Sequence, residues 1–439
     1  MRTEFDALIV GAGPAGSAAA ILLARAGWWV ALIEKQRFPR RKVCGECIAA
    51  SNLPILDALG IGPAFDAAAG PQLRKVALMG GDRSIVADLP CAEDSLHPWG
   101  RALGRETLDA LLLEQARAAG AHVLQPWTVQ RIHRTAGIWQ ANIRAMESEA
   151  AATLRAPVAI AAHGSWGVLP AERPQLRHAH RAGDLFAFKA NFRNTSLESS
   201  LLPILTFNGG YGGMVLGDAG VTTVACCIRR DRLETWRRAA CGLGVGEVVE
   251  HTLKREVGGV RRALRDASRD GAWLAVGPLS PGIRLPNDDQ LFRIGNAAGE
   301  AHPIIGEGMS MALQSAWLLC TQLIHEQERN RGSEALWQAQ IHRRYAAQWR
   351  QHFGPRLRLA AAFAHLAMHR ASSLPLVALA GVWPGLLTLG AQWAGKVRPI
   401  ADPAVLAALT ARSGRPATGR GKAAELHALS NPLCSPSEP

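Results

Sequence analysis

The chain has 439 residues, of which 48% are hydrophobic and 19% are charged, so it is long enough for two or three domains with sizeable cores. This composition excludes a wholly disordered protein, and eight cysteines in such a length exclude a disulfide scaffold. The formal net charge of +13 favours anionic partners: nucleic acid, an acidic membrane surface or a phosphate-bearing ligand. The first residues enter a folded motif and not an apolar signal segment, which predicts a cytoplasmic protein with reduced thiols.

The N-terminal part of the chain alternates short apolar runs with helical segments. Helices are predicted over residues 14–25 and 108–119, and Gly120 ends the second one. Strands are predicted around these helices, over residues 6–10, 28–33, 121–129 and 158–162. This alternation is typical of an α/β fold with a parallel sheet.

The pattern becomes β-rich after residue 184. Residues 184–228 contain three apolar runs separated by Gly-rich turns, which predicts a second sheet. The remaining predicted elements follow in chain order: basic helices over 231–269, a strand over 291–295, and helices over 308–327 and 334–370.

An uncharged stretch near the C-terminus raises the question of a membrane. Residues 374–394 contain no charged side chain, and Arg370, Lys396 and Arg398 flank them. The Pro-Gly pair that follows Trp383 favours a helical hairpin packed on the body of the protein. An interfacial anchor, with peripheral membrane contact through residues 374–398, is the next interpretation, and a spanning helix is the least favoured.

The first predicted strand runs into a glycine-rich turn with the spacing GxGxxG. The first glycine permits a tight turn, the second lets the backbone approach a pyrophosphate, and the third lets the helix pack on the strand. The second strand ends in a carboxylate that can accept both hydroxyls of an adenosine ribose. This turn predicts a dinucleotide site without deciding between FAD, NAD and NADP, and its residues are Gly11, Gly13, Pro14, Ala15, Gly16, Glu34 and Lys35.

A second glycine-rich segment, GNAAGEAHPIIGEG over residues 295–308, follows the strand predicted at 291–295. It resembles the GDAAG and PxxGxG segments of the FAD-dependent oxidoreductases of the para-hydroxybenzoate hydroxylase and geranylgeranyl reductase superfamily. The resemblance implies an FAD cofactor whose ribityl chain and ring lie against this loop. Asn296 departs from the usual Asp of that family. The residues it assigns to the cofactor are Cys44, Arg105, Asn296, Gly299, Pro303, Gly306, Gly308 and Met309.

The resemblance also implies the domain organisation: a Rossmann-type FAD/NAD(P)-binding domain, a β-sheet substrate domain and a helical C-terminal region. We place the FAD-binding domain at residues 1–165 and 276–330, and a substrate-cover domain at 166–275. The helical region follows at 331–400, and a flexible tail at 401–439. Because only one dinucleotide turn is present, NADPH or NADH is expected to bind transiently, or another protein supplies the electrons.

The family resemblance leaves the reaction open. Hydroxylation of a small apolar or phenolic substrate, with O2 taken up at flavin C4a, is placed first, and saturation of a C=C bond in an isoprenoid or lipid second. Tyr211 lies where halogenases and prenyl reductases carry motifs that contain tryptophan and proline; this chain keeps the tyrosine but lacks the tryptophan and the Phe-Pro pair. The difference counts against a halogenase and, less strongly, against a prenyl reductase. Tyr211 and His302 are the candidate catalytic residues. His163 stands in place of an Asp of the family, which questions the usual NADPH handling.

The CxxC pair, the basic helices and the question of turnover each allow more than one interpretation. The CxxC pair Cys44 and Cys47 is interpreted as part of a flavin-facing loop and less favourably as a redox dithiol, and no metal site is expected. The basic helices allow a tRNA-modifying flavoprotein, although no nucleic-acid partner is expected because interleaved aromatic residues are few. A flavin-binding protein without turnover is the last alternative.

Overall fold

The computed structural model describes residues 2–92, 96–165, 181–240, 242–285, 291–329 and 334–396. The predicted tail at 401–439 and Arg398 lie outside the described residues. The described chain forms two main sheets, with helices on their outer faces and a C-terminal helical region alongside. This arrangement confirms the predicted α/β fold.

A five-strand sheet, all of whose strands are parallel, forms the first layer. The first strand of the chain lies in its middle, the next two lie on one side and the last two on the other. The order is Phe292–Arg293, Val158–Ala161, Ala7–Val10, Val30–Ile33 and His122–Leu124. The strand order therefore reverses between Val10 and Ala161, and in open α/β sheets ligands bind at the carboxyl ends of the strands at this point.

Two helices pack against each other on this sheet, Pro14–Arg25 and Gly308–Arg329. The first is rich in alanine, and Ala18, Ala19 and Ala20 are fully buried. Small side chains let the helix lie close to its neighbours, and alanine has the highest helix propensity. The helix Arg105–Ala118 packs on the first of them.

A seven-strand, mostly antiparallel sheet forms the second layer. Two of its strands come from the range assigned by sequence to the FAD-binding domain, and the domain boundaries stay a prediction. The order is Ser268–Val276, Leu185–Arg193, Thr222–Arg229, Gly210–Leu216, Leu201–Phe207, Lys75–Gly80 and Arg83–Asp88. One face is covered by the helices Arg230–Ala239, Val245–Glu256 and Gly258–Ala263.

The basic helices predicted over 231–269 end at Ala263, and a strand begins at Ser268. The apolar side chains of these helices, including Trp236, Val249 and Leu253, are buried against the seven-strand sheet. Their arginines point away from this core, so the charge pattern is that of amphipathic helices on the outer face of a sheet.

Smaller elements complete the described chain. A three-strand antiparallel sheet consists of Trp127–Thr135, Ile138–Ala145 and Ala151–Ala156. Two short strand pairs are Cys47–Ile48 with Arg101–Ala102, and Gly282–Ile283 with Gly299–Glu300. The remaining helices and 3₁₀ turns are Ala50–Asn52, Leu53–Ala58, Gly62–Ala68, Asp218–Gly220, Gly295–Ala297, Pro303–Ile305 and Glu334–Met368.

The uncharged C-terminal stretch forms two helices, Arg370–Val382 and Gly385–Trp393, which we call the terminal hairpin. The break at Trp383 and Pro384 confirms the predicted hairpin. Within the described ranges no single helix combines the length and apolar character needed to cross a membrane. The segments Pro375–Val382 and Gly385–Trp393 meet those requirements only together, and they are bent by 109° relative to each other.

One buried carboxylate joins the two main layers. Glu46 lies in the loop before the strand Cys47–Ile48 and has a φ of 57°, in the left-handed region. Its carboxylate accepts hydrogen bonds from the ammonium of Lys189 and the hydroxyl of Thr223, both on the seven-strand sheet, and from the backbone N–H of Arg105. Only 5% of Glu46 and 2% of Lys189 are exposed, so the pair is protected from water.

Replacing Lys189 by Met is expected to lower the free energy of unfolding by about 3–5 kcal/mol, because the Glu46 carboxylate is left buried without its cation. The matched control is Lys75→Met on the same sheet, since Lys75 pairs with Glu198 at an exposed site and its loss is expected to cost no more than about 1 kcal/mol. Urea unfolding of the ligand-free proteins measures the effects of both substitutions. Equal effects of the two substitutions would show that Glu46 does not hold the layers together.

Candidate active site

A cavity of about 970 Å³ lies between the carboxyl end of the parallel sheet, the inner face of the seven-strand sheet and the terminal hairpin. This volume is near the upper end of the range of about 300–1,000 Å³ that is typical of small-molecule sites. Its first wall carries the glycine-rich turn, its second wall carries Tyr211, and its third carries Leu387 and Ala391 of the hairpin. The cavity begins where the strand order of the parallel sheet reverses.

The glycine-rich turn is shaped by two close backbone approaches. Gly11 has a φ of 103°, and a Cβ there would lie 2.6 Å from the carbonyl oxygen of Ala162. A Cβ on Gly16 would lie 1.8 Å from the carbonyl oxygen of Gly11. Only glycine fits at these two places, as the sequence predicts.

Gly13 differs from these glycines because it faces the cavity. A Cβ there would meet only the Arg105 guanidinium, at 3.8 Å. Gly13 is the N-cap of the helix Pro14–Arg25, and no side chain caps this helix end. The helix therefore presents its first N–H groups and the positive end of its dipole to the cavity, which suits a phosphate.

Glu34 lies at the end of the second strand and is almost fully buried. Its carboxylate accepts hydrogen bonds from the backbone N–H groups of Ala12 and Gln36, each at 2.9 Å. The Arg40 guanidinium lies 3.3 Å from one of its oxygens. Two fixed backbone donors hold the carboxylate at the cavity wall, and carboxylate oxygens have further acceptor capacity for ligand hydroxyls.

Three cations lie at the same end of the cavity: Arg40, Lys42 and Arg105. The Arg105 guanidinium forms a bidentate ion pair with Asp109, with both distances 2.7 Å. Burial opposes the charge on Arg105, but the Asp109 carboxylate raises its pKa above the usual range. Burial, together with the nearby Arg105 and Arg40, lowers the pKa of Lys42 to about 8. The positive charges in such a cluster repel one another, and a bound polyanion would stabilise all of them.

The second glycine-rich segment is held by a polar network. The Asn296 side-chain amide donates to the Ser165 hydroxyl at 2.9 Å, and this hydroxyl donates to the Glu300 carboxylate at 3.0 Å. Arg284 donates to Glu300 at 2.6 Å and to the backbone carbonyl of Asn296 at 3.2 Å. Ser165 lies four residues after the strand Val158–Ala161, so the network joins this segment to the loop that follows a strand of the parallel sheet.

The turn Pro303–Gly308 is tied to the end of the terminal hairpin. Glu307 in this turn is fully buried, and its carboxylate lies 3.2 Å from the Lys396 ammonium and 3.5 Å from the Arg356 guanidinium. Burial opposes the charge on Lys396, but the Glu307 carboxylate raises its pKa. A Cβ on Gly308 would meet no atom within 4 Å, so this turn faces open space as Gly13 does.

Tyr211 and His302 form a pair at the inner face of the seven-strand sheet. The Tyr211 hydroxyl lies 3.4 Å from Nδ1 of His302, and only 1% of Tyr211 is exposed. Burial, reinforced by the neighbouring Cys227, raises the pKa of Tyr211, and burial lowers the pKa of His302. Near neutral pH this combination favours a protonated phenol beside a neutral imidazole.

Comparison with known proteins gives the family. Residues 4–239 match the FAD binding domain family. The chain belongs to this family. It is 27% identical over 372 residues to conditioned medium factor receptor 1 of Dictyostelium discoideum, with 80% of this chain and 68% of that protein covered. It is 27% identical over 352 residues to the menaquinone reductase of Mycobacterium tuberculosis, with 77% and 80% covered.

The fold comparison agrees with the family match. The structure of the myxobacterial chondrochloren halogenase, an FAD-dependent halogenase, superposes with a TM-score of 0.71 at 20% identity, and 92% of each chain is covered. At this identity the likeness shows the fold alone. By its family, the chain is an FAD-dependent oxidoreductase, which confirms the superfamily resemblance drawn from its two glycine-rich segments.

The open space, charge and hydrogen-bonding groups of the residues that line the cavity fit FAD. Gly13, Gly45 and Gly308 leave space that a side chain would fill, and the uncapped helix end lies beside the three cations. Bound FAD would supply hydride or oxygen chemistry at its ring, which the protein's residues would orient. The helix end and cations suit the pyrophosphate, and Glu34 suits a ribose.

The structure brings most of the predicted cofactor residues to this one cavity. Those that line it are Gly11, Gly13, Pro14, Ala15, Glu34, Lys35, Cys44, Arg105, Asn296, Pro303, Gly306, Gly308 and Met309, together with Tyr211. Gly16 and Gly299 do not line the cavity: both are at packing positions, and a Cβ on Gly299 would lie 2.4 Å from the Trp349 ring. His302 lies behind Tyr211.

The two cysteines of the CxxC pair differ in environment. Both line the cavity, but Cys44 is partly buried beside Arg105, whereas Cys47 is buried in a short strand. Burial raises the pKa of Cys47, which lowers its reactivity as a thiolate. This geometry supports the flavin-facing loop over the redox dithiol.

Sequence reasoning missed several residues of the site. Lys42 lies two residues before Cys44 in the chain, but its place in the cation cluster follows only from the fold. Glu307 stands inside the second glycine-rich segment, and its buried carboxylate was not assigned a role. The only sequence signal for Glu307 is an acidic residue between two glycines that the resemblance assigns to the cofactor.

Gly13→Ala is expected to weaken FAD binding by at least tenfold, about 1.4 kcal/mol, because the methyl group fills space that the pyrophosphate needs. Its thermal unfolding without flavin should stay close to that of the unchanged protein, since the new Cβ meets only Arg105. Fluorescence titration of flavin-free protein with FAD measures the affinity. Gly16→Ala is the matched control and should destabilise the fold itself. Unchanged FAD affinity in Gly13→Ala would contradict the proposed cradle.

FAD binding is expected to weaken at alkaline pH through Lys42. The pKa of Lys42 without ligand is about 8, so the side chain loses its charge above this pH, while a bound pyrophosphate holds the proton and raises the pKa. The Kd should be flat below pH 7 and rise by about tenfold between pH 7 and pH 9. The Lys42→Met variant should lose this rise of Kd with pH, and the control Lys75→Met, at an exposed site, should keep it. An unchanged slope in Lys42→Met would assign the pH dependence elsewhere.

Proposed function

We propose that this flavoprotein saturates a carbon–carbon double bond of an apolar substrate with an isoprenoid or lipid chain. The observation that carries the proposal is the Tyr211–His302 pair at the apolar wall of the cavity. Saturation of a C=C bond adds a hydride to one carbon and a proton to the other. Reduced FAD is the hydride source in this chemistry, and the protein must supply the proton.

Tyr211 suits the role of proton donor. Its raised pKa keeps the phenol protonated at neutral pH, and its ring lies on the strand Gly210–Leu216, which faces the cavity. The thiol of Cys227 is also close, but burial raises its pKa to about 12, so it is a poor source of protons at neutral pH. His302 is partly buried and can return a proton to Tyr211 from solvent.

The wall opposite the glycine-rich turn fits an apolar chain. It is lined by side chains without polar groups from the seven-strand sheet and the hairpin, among them Phe188, Leu202, Ile204, Leu376 and Leu387. A dry wall of this kind keeps water from competing for the proton and the hydride. The relative from Mycobacterium tuberculosis is named as a reductase of menaquinone, which supports reduction as the reaction class.

Hydroxylation, placed first by the sequence, becomes the second candidate. The observation in its favour is the same apolar wall, because oxygen transfer also needs a pocket that excludes water. It does not need a proton donor on the substrate side such as Tyr211. For either reaction we propose NADPH or NADH as a transient electron donor. Reduction of the bound flavin by one of them would exclude a protein that binds flavin without turnover.

Tyr211→Phe is expected to lower kcat by roughly 10²–10⁴-fold, the usual contribution of a general acid, while FAD affinity is unchanged. The matched control is Tyr345→Phe, because Tyr345 is the only other tyrosine in the sequence and its hydroxyl donates to the Arg293 carbonyl outside the cavity. Turnover of an isoprenoid quinone or prenyl lipid, followed by mass spectrometry, measures the effect. Equal activity of both variants would remove Tyr211 from the reaction.

Turnover with and without air separates the two reactions. Reduction of a double bond is expected to proceed under strict anaerobic conditions and to raise the product mass by two hydrogens. Hydroxylation would stop without O2 and would consume one O2 for each product formed. A product that appears only in air would replace the proposed reductase with a monooxygenase.

A further inference from the structure

The terminal hairpin carries a group of exposed apolar side chains. They include two tryptophans, one at the bend and one at the end of the second helix. The exposed fractions are 53% for Leu379, 86% for Val382, 58% for Trp383, 37% for Leu389 and 63% for Trp393. Contiguous apolar surface of this kind on a folded protein marks an interaction site.

The opposite side of the hairpin packs on the protein body. Val377 and Ala380 are buried against Leu78 of the seven-strand sheet. The hydroxyl of Thr388 donates to the backbone carbonyl of Asp88 at 2.7 Å. The hairpin is thus held in place by one face, so its apolar outer face is presented on a fixed support.

The exposed face is continuous with the mouth of the cavity. Leu379, Leu389 and Trp393 are exposed and also line the cavity. Leu376 and Leu387 extend the same lining inward. The exposed face of the hairpin therefore forms part of the rim of the cavity.

The composition of the hairpin indicates what covers its face. Residues 371–395 contain no charged side chain, and the two helices together have the apolar length of a membrane segment but are bent by 109°. Trp383 and Trp393 are of the residue type enriched at membrane–water interfaces. The net charge of +13 complements an anionic leaflet.

We propose that the outer face of the terminal hairpin docks into the interfacial layer of an anionic lipid bilayer, so that apolar substrate enters the cavity directly from the lipid. The helices lie in the plane of the interface, and Val382 and Trp383 at the bend enter the acyl boundary. The docking of the hairpin on a bilayer goes beyond the proposed function. The entry of substrate from the lipid rests on the proposed function. Vesicle binding requires no turnover, so the two proposals can fail separately.

The test is flotation of the full-length flavoprotein with vesicles of phosphatidylcholine alone and of phosphatidylcholine with phosphatidylglycerol. The unchanged protein is expected to float with the anionic vesicles and less with the neutral ones. The double substitution Val382→Asp with Trp383→Asp should reduce flotation by at least roughly tenfold, since it removes two exposed apolar side chains from the bend. Neither residue lines the cavity, so FAD content should be unchanged.

The matched control is Leu96→Asp with Leu243→Asp, which changes two exposed apolar residues outside the hairpin, 94% and 50% exposed. It should float as the unchanged protein does. The proposal is overturned if the unchanged protein floats with neither vesicle, or if the hairpin variant floats as well as the control. Gel filtration without lipid tests whether a second copy of the chain covers the hairpin instead. A dimer that dissociates when the hairpin is substituted, in a protein that does not bind vesicles, would also overturn the proposal.

Discussion

The buried pairing of Glu46 with Lys189 is the interaction on which the arrangement of the site depends. A carboxylate that is 5% exposed requires a cation or several donors, and Glu46 has both. The third hydrogen bond of Glu46 comes from the backbone N–H of Arg105, the first residue of the helix Arg105–Ala118. The same carboxylate therefore joins its own loop, this helix and the seven-strand sheet.

The cofactor end of the cavity combines backbone shape with charge. Gly11 and Gly16 let strand, turn and helix approach within contact distances that no other residue allows, and Gly13 leaves the space beside them open. The cations gather at this same end, and Asp109 and Glu34 hold two of them in place. A dinucleotide therefore meets a rigid turn and a preorganised positive charge, which costs little rearrangement on binding.

The other end of the cavity couples three parts of the chain. Glu307 in the second glycine-rich segment contacts Lys396 at the end of the hairpin and Arg356 on the long helix. The hydroxyl of Ser51 adds a further contact to this end of the hairpin by donating a hydrogen bond to the Gly395 carbonyl at 3.0 Å. The hairpin is thus anchored directly against the turn Pro303–Gly308 of the second glycine-rich segment, and its exposed face and this end of the cavity belong to one connected structure.

The amino-acid sequence by itself determined the α/β fold, the dinucleotide turn, Glu34 and the second segment around Asn296, because these depend on local backbone geometry and short spacing. It also predicted the hairpin break at Pro384, since proline and glycine end helices locally. Only the tertiary structure decided that Lys189 meets Glu46, that Lys42 joins two arginines, and that Lys396 meets Glu307. Apart from Arg40, which is two residues from Lys42, the partners in these contacts are far apart in the chain, and burial and charge pairing act through space, where spacing along the sequence carries no information.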